Sequence, residues 1–89
     1  NASSYVRKAT AHYYLGNYDT AQTNIQIALQ IEPDNTYAYF QQAMIFIKLE
    51  QNDEALKSLS KVISISPESA TAYYTRFWLT ITEQPFLIS

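Results

Sequence analysis

The 89-residue chain has no cysteine, so disulfides, zinc–thiolate clusters and thiol chemistry are excluded. It has one glycine, where average usage would supply about six, and only three prolines. A chain this poor in turn residues favours long helices with tight joints over a sheet. Its six cations (Arg7, Lys8, Lys48, Lys57, Lys61 and Arg76) are scattered and outnumbered by eight acids, for a net charge of −2. With no basic stripe, a nucleic-acid backbone is not an expected partner. No apolar run approaches the roughly 20 residues of a membrane-spanning helix, so no membrane partner is expected either. No signal peptide is visible. A chain that starts at Asn1 instead of Met reads as a fragment of a longer one. Its compartment is not written in these residues, with the cytoplasm as the default expectation.

What is present is self-similarity. Pro33 and Pro67 lie 34 residues apart, and Tyr5, Tyr39 and Tyr73 recur at that interval. So do Ala9 and Ala43, Leu15 and Leu49, Asp19 and Asp53, Ala21 and Ala55, and Ile31 and Ile65. A fixed period of this length marks a stack of small units, each hiding its apolar face on its neighbour.

Within each period the apolar spacing is helical. Tyr5, Ala9, His12 and Tyr13 form one stripe, predicting a helix over about 3–15. Gly16 can close it in the left-handed conformation, and Asn17 can cap the next helix. That second helix carries Tyr18, Ala21, Ile25, Ala28 and Leu29 and stops before Pro33, because proline disfavours helical geometry in the residue ahead of it. Asp34-Asn35 offers a cap for a third helix running to about Leu49. A fourth starts near Asp53-Glu54, whose carboxylates suit a helix start, and carries Ala55, Leu56, Leu59, Val62 and Ile63. Ser69 can cap a fifth, with Tyr73, Tyr74, Phe77, Trp78 and Ile81, ending by Gln84-Pro85. The tail Phe86-Leu87-Ile88 is too short for another helix. Tyr18, Ile25, Leu29, Leu56, Leu59 and Ile63 are assigned to the core. Asn1-Ala2-Ser3 fits a glycosylation sequon, which at a chain terminus carries little weight.

This pattern resembles the tetratricopeptide repeat over about residues 2–83. The first unit reads Tyr5, Ala9, His12, Gly16, Tyr18, Ala21, Ile25, Ala28 and Pro33. The second reads Tyr39, Ala43, Phe46, Ala55, Leu59, Val62 and Pro67. The resemblance implies an all-α, right-handed α-solenoid of antiparallel helix pairs with five helices, in one domain spanning 1–89. Repeat 1 would cover about 2–35, repeat 2 about 36–69, and a terminal half repeat or capping helix about 70–83. The alanines let helices approach closely while the aromatics fill the space beside them. Lys8, Gln42 and Arg76 stand where leucine is common and are expected at a rim, their stems lying over apolar surface. Glu50 and Asn52 replace the turn Gly and Tyr of the second unit, so that joint is expected to be looser. Phe77 replaces the small residue in the third unit.

On a helical wheel Tyr37, Phe40, Met44 and Ile47 share one side of the third helix, leaving little polar face beyond Gln41, Gln42 and Lys48. In the family, the first helix of each unit lines a concave groove. Carried over by position, the groove comprises Val6, Thr10, Tyr13 and Tyr14, then Tyr37, Phe40, Met44 and Ile47 with Lys48 as the nearest cation, then Tyr74 and Trp78. This predicts a protein–protein interaction module that binds a peptide or protein segment through apolar, aromatic anchors. Two other readings remain. The stripe could be covered by a second copy, in a self-associating scaffold, or the chain could be a regulatory segment of a larger protein.

Family members that hold chaperone tails grip two carboxylates with Lys, Asn, Asn, Lys and Arg. The matching positions here are Val6, Thr10, Gln41, Thr71 and Thr75, and none is cationic, which argues against that ligand. No enzyme activity is expected. His12, the sole histidine, falls on a core aromatic position with no carboxylate to orient it. The serines have no partner base. Asp53-Glu54 is a helix start, and Glu50 with these two has no calcium-loop spacing. No glycine-rich phosphate loop exists, and no cofactor or metal is expected.

Overall fold

A computed structural model describes residues 1–83, and among them every regular element is a helix. These are α1 (Ala2–Tyr14), α2 (Tyr18–Ile31), α3 (Thr36–Lys48), α4 (Asn52–Ile65) and α5 (Ala70–Glu83). The expectations for Gln84-Pro85 and for the tail fall outside the described residues.

Each helix begins and ends for a local reason. The prolines act as expected: Glu32, before Pro33, has φ −138° and ψ 89°, and Ser66, before Pro67, has φ −126° and ψ 79°. Both are extended, and each still donates its N–H four residues back, at 2.9 Å to Ala28 O and 2.7 Å to Val62 O. Three side-chain caps recur at the repeat interval. Ser4 N donates to Asn1 Oδ1 at 2.9 Å, Ala38 N to Asn35 Oδ1 at 2.9 Å, and Ala72 N to Ser69 Oγ at 3.3 Å. Asn1, read in the sequence only as part of a sequon, is thus the first member of the cap series. Asn17 precedes α2 but its side chain makes no cap bond.

The joint between α3 and α4 departs from expectation: it is not built more loosely than the first. Gly16 has φ +83° and Glu50 φ +61°, both in the left-handed region. The closing hydrogen bonds match as well. Asn17 N donates to His12 O at 2.8 Å and Gly16 N to Tyr13 O at 3.1 Å. Gln51 N donates to Phe46 O at 2.8 Å and Glu50 N to Ile47 O at 3.0 Å. Two bonds per joint outweigh the strain of a non-glycine residue in this conformation, about 1–2 kcal/mol.

Helices α1 and α2 pack side by side, as do α3 and α4, and α3 also contacts α1 and α2 while α5 packs on α4. The Cα envelope measures 45 × 28 × 16 Å, and its short dimension fits two helix layers at the usual spacing of about 8–10 Å. Two buried clusters run through the stack. One joins Ala9, Ala21, Ile25, Ala28, Ala38 and Ile45; the other joins Ala43, Ala55, Leu59, Val62, Ala72 and Leu79. Helix α3 feeds both, Ile45 into the first and Ala43 into the second. That double burial accounts for much of the polar face it lacks. Of the expected core residues, Ile25 and Leu59 are fully buried, while Tyr18, Leu29, Leu56 and Ile63 are half-buried against the clusters.

Candidate functional site

The first helices of the successive units, α1, α3 and α5, carry one face of the stack. Two hollows open there, on either side of α3. The first, about 350 Å³, lies between α1 and α3 and is lined by Val6, Arg7, Thr10, Tyr37, Phe40 and Gln41, among others. The second, about 370 Å³, lies where α3 meets the α4–α5 joint, lined by Tyr37, Phe40, Val62, Glu68, Ser69 and Thr71, among others. Tyr37 and Phe40 belong to both and form the ridge between them.

The periodicity of the units produces this arrangement. Helices that repeat at one register put equivalent residues side by side, and small alanines behind them set the spacing. The Asn35 cap fixes where α3 starts, and hence where Tyr37 stands. Tyr37 is 78% exposed, a large side chain held at the ridge with its ring in solvent. Phe40 is only half-exposed, because it also packs against the second buried cluster. The Thr10 hydroxyl lies 3.0 Å from Val6 O and 3.4 Å from Gln41 Oε1, which brings polar groups of α1 and α3 together in the floor of the first hollow.

Of the groove residues read from the sequence, the structure brings Val6, Thr10, Tyr37 and Phe40 to one hollow. Tyr74 and Trp78 share a smaller depression on α5 with Thr75. Tyr13 has another attachment: it packs on the first cluster, its ring centroid 5.9 Å from that of Tyr18 and 5.2 Å from that of the exposed Tyr14. Ile47 packs on the second cluster, Met44 is half-buried, and Lys48 is exposed at the last residue of α3. None of Tyr13, Tyr14, Met44, Ile47 and Lys48 lines the two hollows.

Among the lining residues that the sequence did not assign to the groove, two are charged. Arg7 is the cation of the first, where Lys48 was expected to be the nearest one. Its position three residues before Thr10, on the same helical face, was the available signal. Glu68 is the charge of the second. It lies in a joint, and a groove read from helix wheels alone passes over joints.

Of Lys8, Gln42 and Arg76, expected at a rim, Lys8 and Arg76 each lie over the repeating tyrosine of their own helix. Lys8 Nζ lies 4.9 Å from the Tyr5 ring centroid and the Arg76 guanidinium 5.5 Å from that of Tyr73. At Tyr39 the cation is Lys61 of α4, at 6.0 Å, and Gln42 instead accepts from Ser58 Oγ at 3.0 Å. His12 is half-buried, and its Nδ1 and Gln22 Oε1 are enclosed without a hydrogen-bond partner among the described residues. Among the described residues, no three His, Asp or Glu side chains group as metal ligands do, and no helix is long and apolar enough to cross a membrane.

Comparison with known proteins gives a consistent picture. The model of the Fis1 C-terminal tetratricopeptide repeat matches residues 8–52, and a general tetratricopeptide repeat model matches 36–69. No curated protein matches the chain. Among solved structures, the crystal structure of MamA superimposes with a TM-score of 0.90 at 20% identity, covering 94% of this chain and 49% of MamA. The first TPR of Spaghetti (RPAP3), bound to the HSP90 peptide SRMEEVD, gives 0.88 at 19% identity, covering 94% of this chain and 67% of the other. The chain thus spans about half the length of MamA. At these identities the structures establish the fold, a right-handed α-solenoid of helix pairs.

Proposed function

The chain belongs to the tetratricopeptide repeat family, and from that premise we propose that it is an interaction module whose concave face receives a segment of another polypeptide. Members of the family are generally interaction modules without catalysis of their own, and we assign no reaction to these residues. Residues 2–35 and 36–69 act as the two full units and 70–83 as the closing half unit.

The observation that carries the reading is Tyr37. A solvated aromatic ring on the ridge between two hollows of about 350 and 370 Å³ offers large contact area with few rotors to freeze. The fold gives it a rigid base, since the neighbouring Ala38 is fully buried and Asn35 caps the helix beneath it.

The ligand of the RPAP3 neighbour is not carried over. Its partner is an acidic peptide, whereas the clamp positions here are Val6, Thr10, Gln41, Thr71 and Thr75, all neutral.

The test is selection from a displayed library of random dodecamer peptides, followed by binding of the recovered peptides to Tyr37→Ala. Truncating an exposed anchor should keep the helical circular dichroism and weaken binding at least tenfold. Full-strength binding by that variant would place the site elsewhere. Phe40→Ala is the poorer probe, because Phe40 also packs on the core and its loss lowers stability.

A second reading is favoured by α5. Phe77 is 64% exposed at the position where Ala9 and Ala43 are fully buried, and Tyr73, Tyr74 and Trp78 are exposed on the same helix. Pairing of two copies through this surface would cover it. Light scattering across concentration separates the readings: a molecule that stays monomeric into the hundreds of micromolar does not self-pair.

A further inference from the structure

The two hollows share their apolar wall but not their charge. Among the described residues, Arg7 is the one charged residue lining the first, and Glu68 the one lining the second. Both are exposed, and neither takes part in an ion pair among the described residues, where Lys57 and Glu54 make theirs at 3.3 Å. Hydroxyl and amide groups supply further polarity, among them Ser3, Thr10 and Gln41 on the Arg7 side and Thr36, Ser69 and Thr71 on the Glu68 side.

Resting on the groove reading above, we infer that the ligand is an extended internal segment carrying a carboxylate side chain and a cationic side chain, with an apolar residue between them. The carboxylate lies in the hollow of Arg7, the cation lies in the hollow of Glu68, and the apolar side chain packs on Tyr37 and Phe40. The hollows flank one helix, so their centres are about 8–10 Å apart. An extended chain advances about 3.3 Å per residue and alternates its side chains, so three that face the protein together stand at every second position, about 13 Å from first to last, and the long side chains of Arg7 and of the ligand's cation take up the difference. A free C-terminal carboxylate is not required, because a single guanidinium pairs one carboxylate. The opposite arrangement, a cation against Arg7 and a carboxylate against Glu68, is disfavoured by like charge at both ends, which makes the pattern selective as well as attractive.

The experiment uses the same display selection, now read for sequence. Wild-type protein should recover peptides in which an acidic and a basic residue flank an apolar one at about this spacing. One such peptide is then synthesised with its charge-swapped counterpart, and both are titrated by fluorescence anisotropy. Arg7→Glu should weaken the selected peptide about fivefold, as fits an exposed pair, and the effect should shrink at high salt. The double variant Arg7→Glu with Glu68→Lys should prefer the swapped peptide. Circular dichroism checks that Glu68→Lys, next to the α5 cap, leaves the fold intact.

Recovered peptides that share apolar anchors but no charge pattern, keep full affinity for Arg7→Glu and lose it for Tyr37→Ala would overturn this inference while leaving the groove in place. Peptides that bind Tyr37→Ala at full strength would remove the groove, and the charge pattern with it. A library that yields no enrichment counts against both.

Discussion

Gly16 and Glu50 hold the same left-handed backbone conformation one repeat apart, φ +83° and +61°, and each closes a helix with the same pair of hydrogen bonds. Only the side chain differs. An L-residue in this region is strained by about 1–2 kcal/mol, and glycine recovers part of that against its larger unfolded-state entropy. Glu50→Gly should therefore stabilise the fold by roughly 0.5–1 kcal/mol. Gly16→Ala should destabilise it by about 1 kcal/mol. A Cβ at Gly16 would meet nothing within 4 Å, so that loss would come from the backbone and not from a clash. In urea titrations the two variants should move the midpoint in opposite directions. Equal or same-sign shifts would show that the joints differ in solution.

The three caps Asn1, Asn35 and Ser69 do the same chemical job in different surroundings. Asn35 is buried and starts the central helix, whereas Asn1 is exposed at the chain end. Removing a cap costs about 0.5–2 kcal/mol, with the upper end expected where the freed N–H has no access to water. Asn35→Ala should fall near 2 kcal/mol and Asn1→Ala near 0.5. Thermal melts of the two variants measure the contrast. Similar losses would mean that the Ala38 N–H finds another acceptor.

Most of this architecture can be read from small and turn-forming residues. Pro33, Pro67 and Gly16 act through backbone geometry that does not depend on the rest of the fold, so the helix ends they predict fall within about a residue of those observed. Ala9, Ala43 and Ala55 mark close helix approaches because little else fits there. The second joint was misread because Glu50 carries no local mark of a left-handed residue; the hydrogen bonds around it impose that conformation. The hollows beside α3 are harder to read. An apolar residue on α3 looks the same on a wheel whether it faces α2, α4 or solvent. Ile45 and Ile47 are claimed by packing, while Tyr37 is left outside. Glu68 reaches its hollow from a joint, where periodicity carries no information.

Ser58 and Gln42 form a polar contact between α3 and α4, with Ser58 Oγ donating to Gln42 Oε1 at 3.0 Å beside the second cluster. A net contribution of about 1 kcal/mol is typical of such a bond. Ser58→Ala should cost about that much, and so should Gln42→Leu, which strands the buried hydroxyl. The double variant has neither group to satisfy. It should lose less than the sum of the two, with a coupling of about 0.5–1 kcal/mol in a double-mutant cycle. Additive losses would mean that water already satisfies both groups.

Ala43 and Phe77 occupy the same place in successive units and should respond oppositely to a change of size. Ala43 has no exposed surface, in a cluster with Ala55 and Leu59, where α3 and α4 approach closely. A leucine there must push the helices apart or adopt a strained rotamer, a cost of about 1–3 kcal/mol. Phe77 lies 64% exposed on α5, so its ring displaces little when removed. Phe77→Ala should change stability by less than about 0.5 kcal/mol, the usual range for surface substitutions. It also tests the α5 surface, because self-association through that helix would weaken in the same variant. Denaturation at two protein concentrations gives both answers. A large loss at the lower concentration would mean that Phe77 is part of the monomer's own core. A loss seen only at the higher concentration would show that a second copy had been covering it.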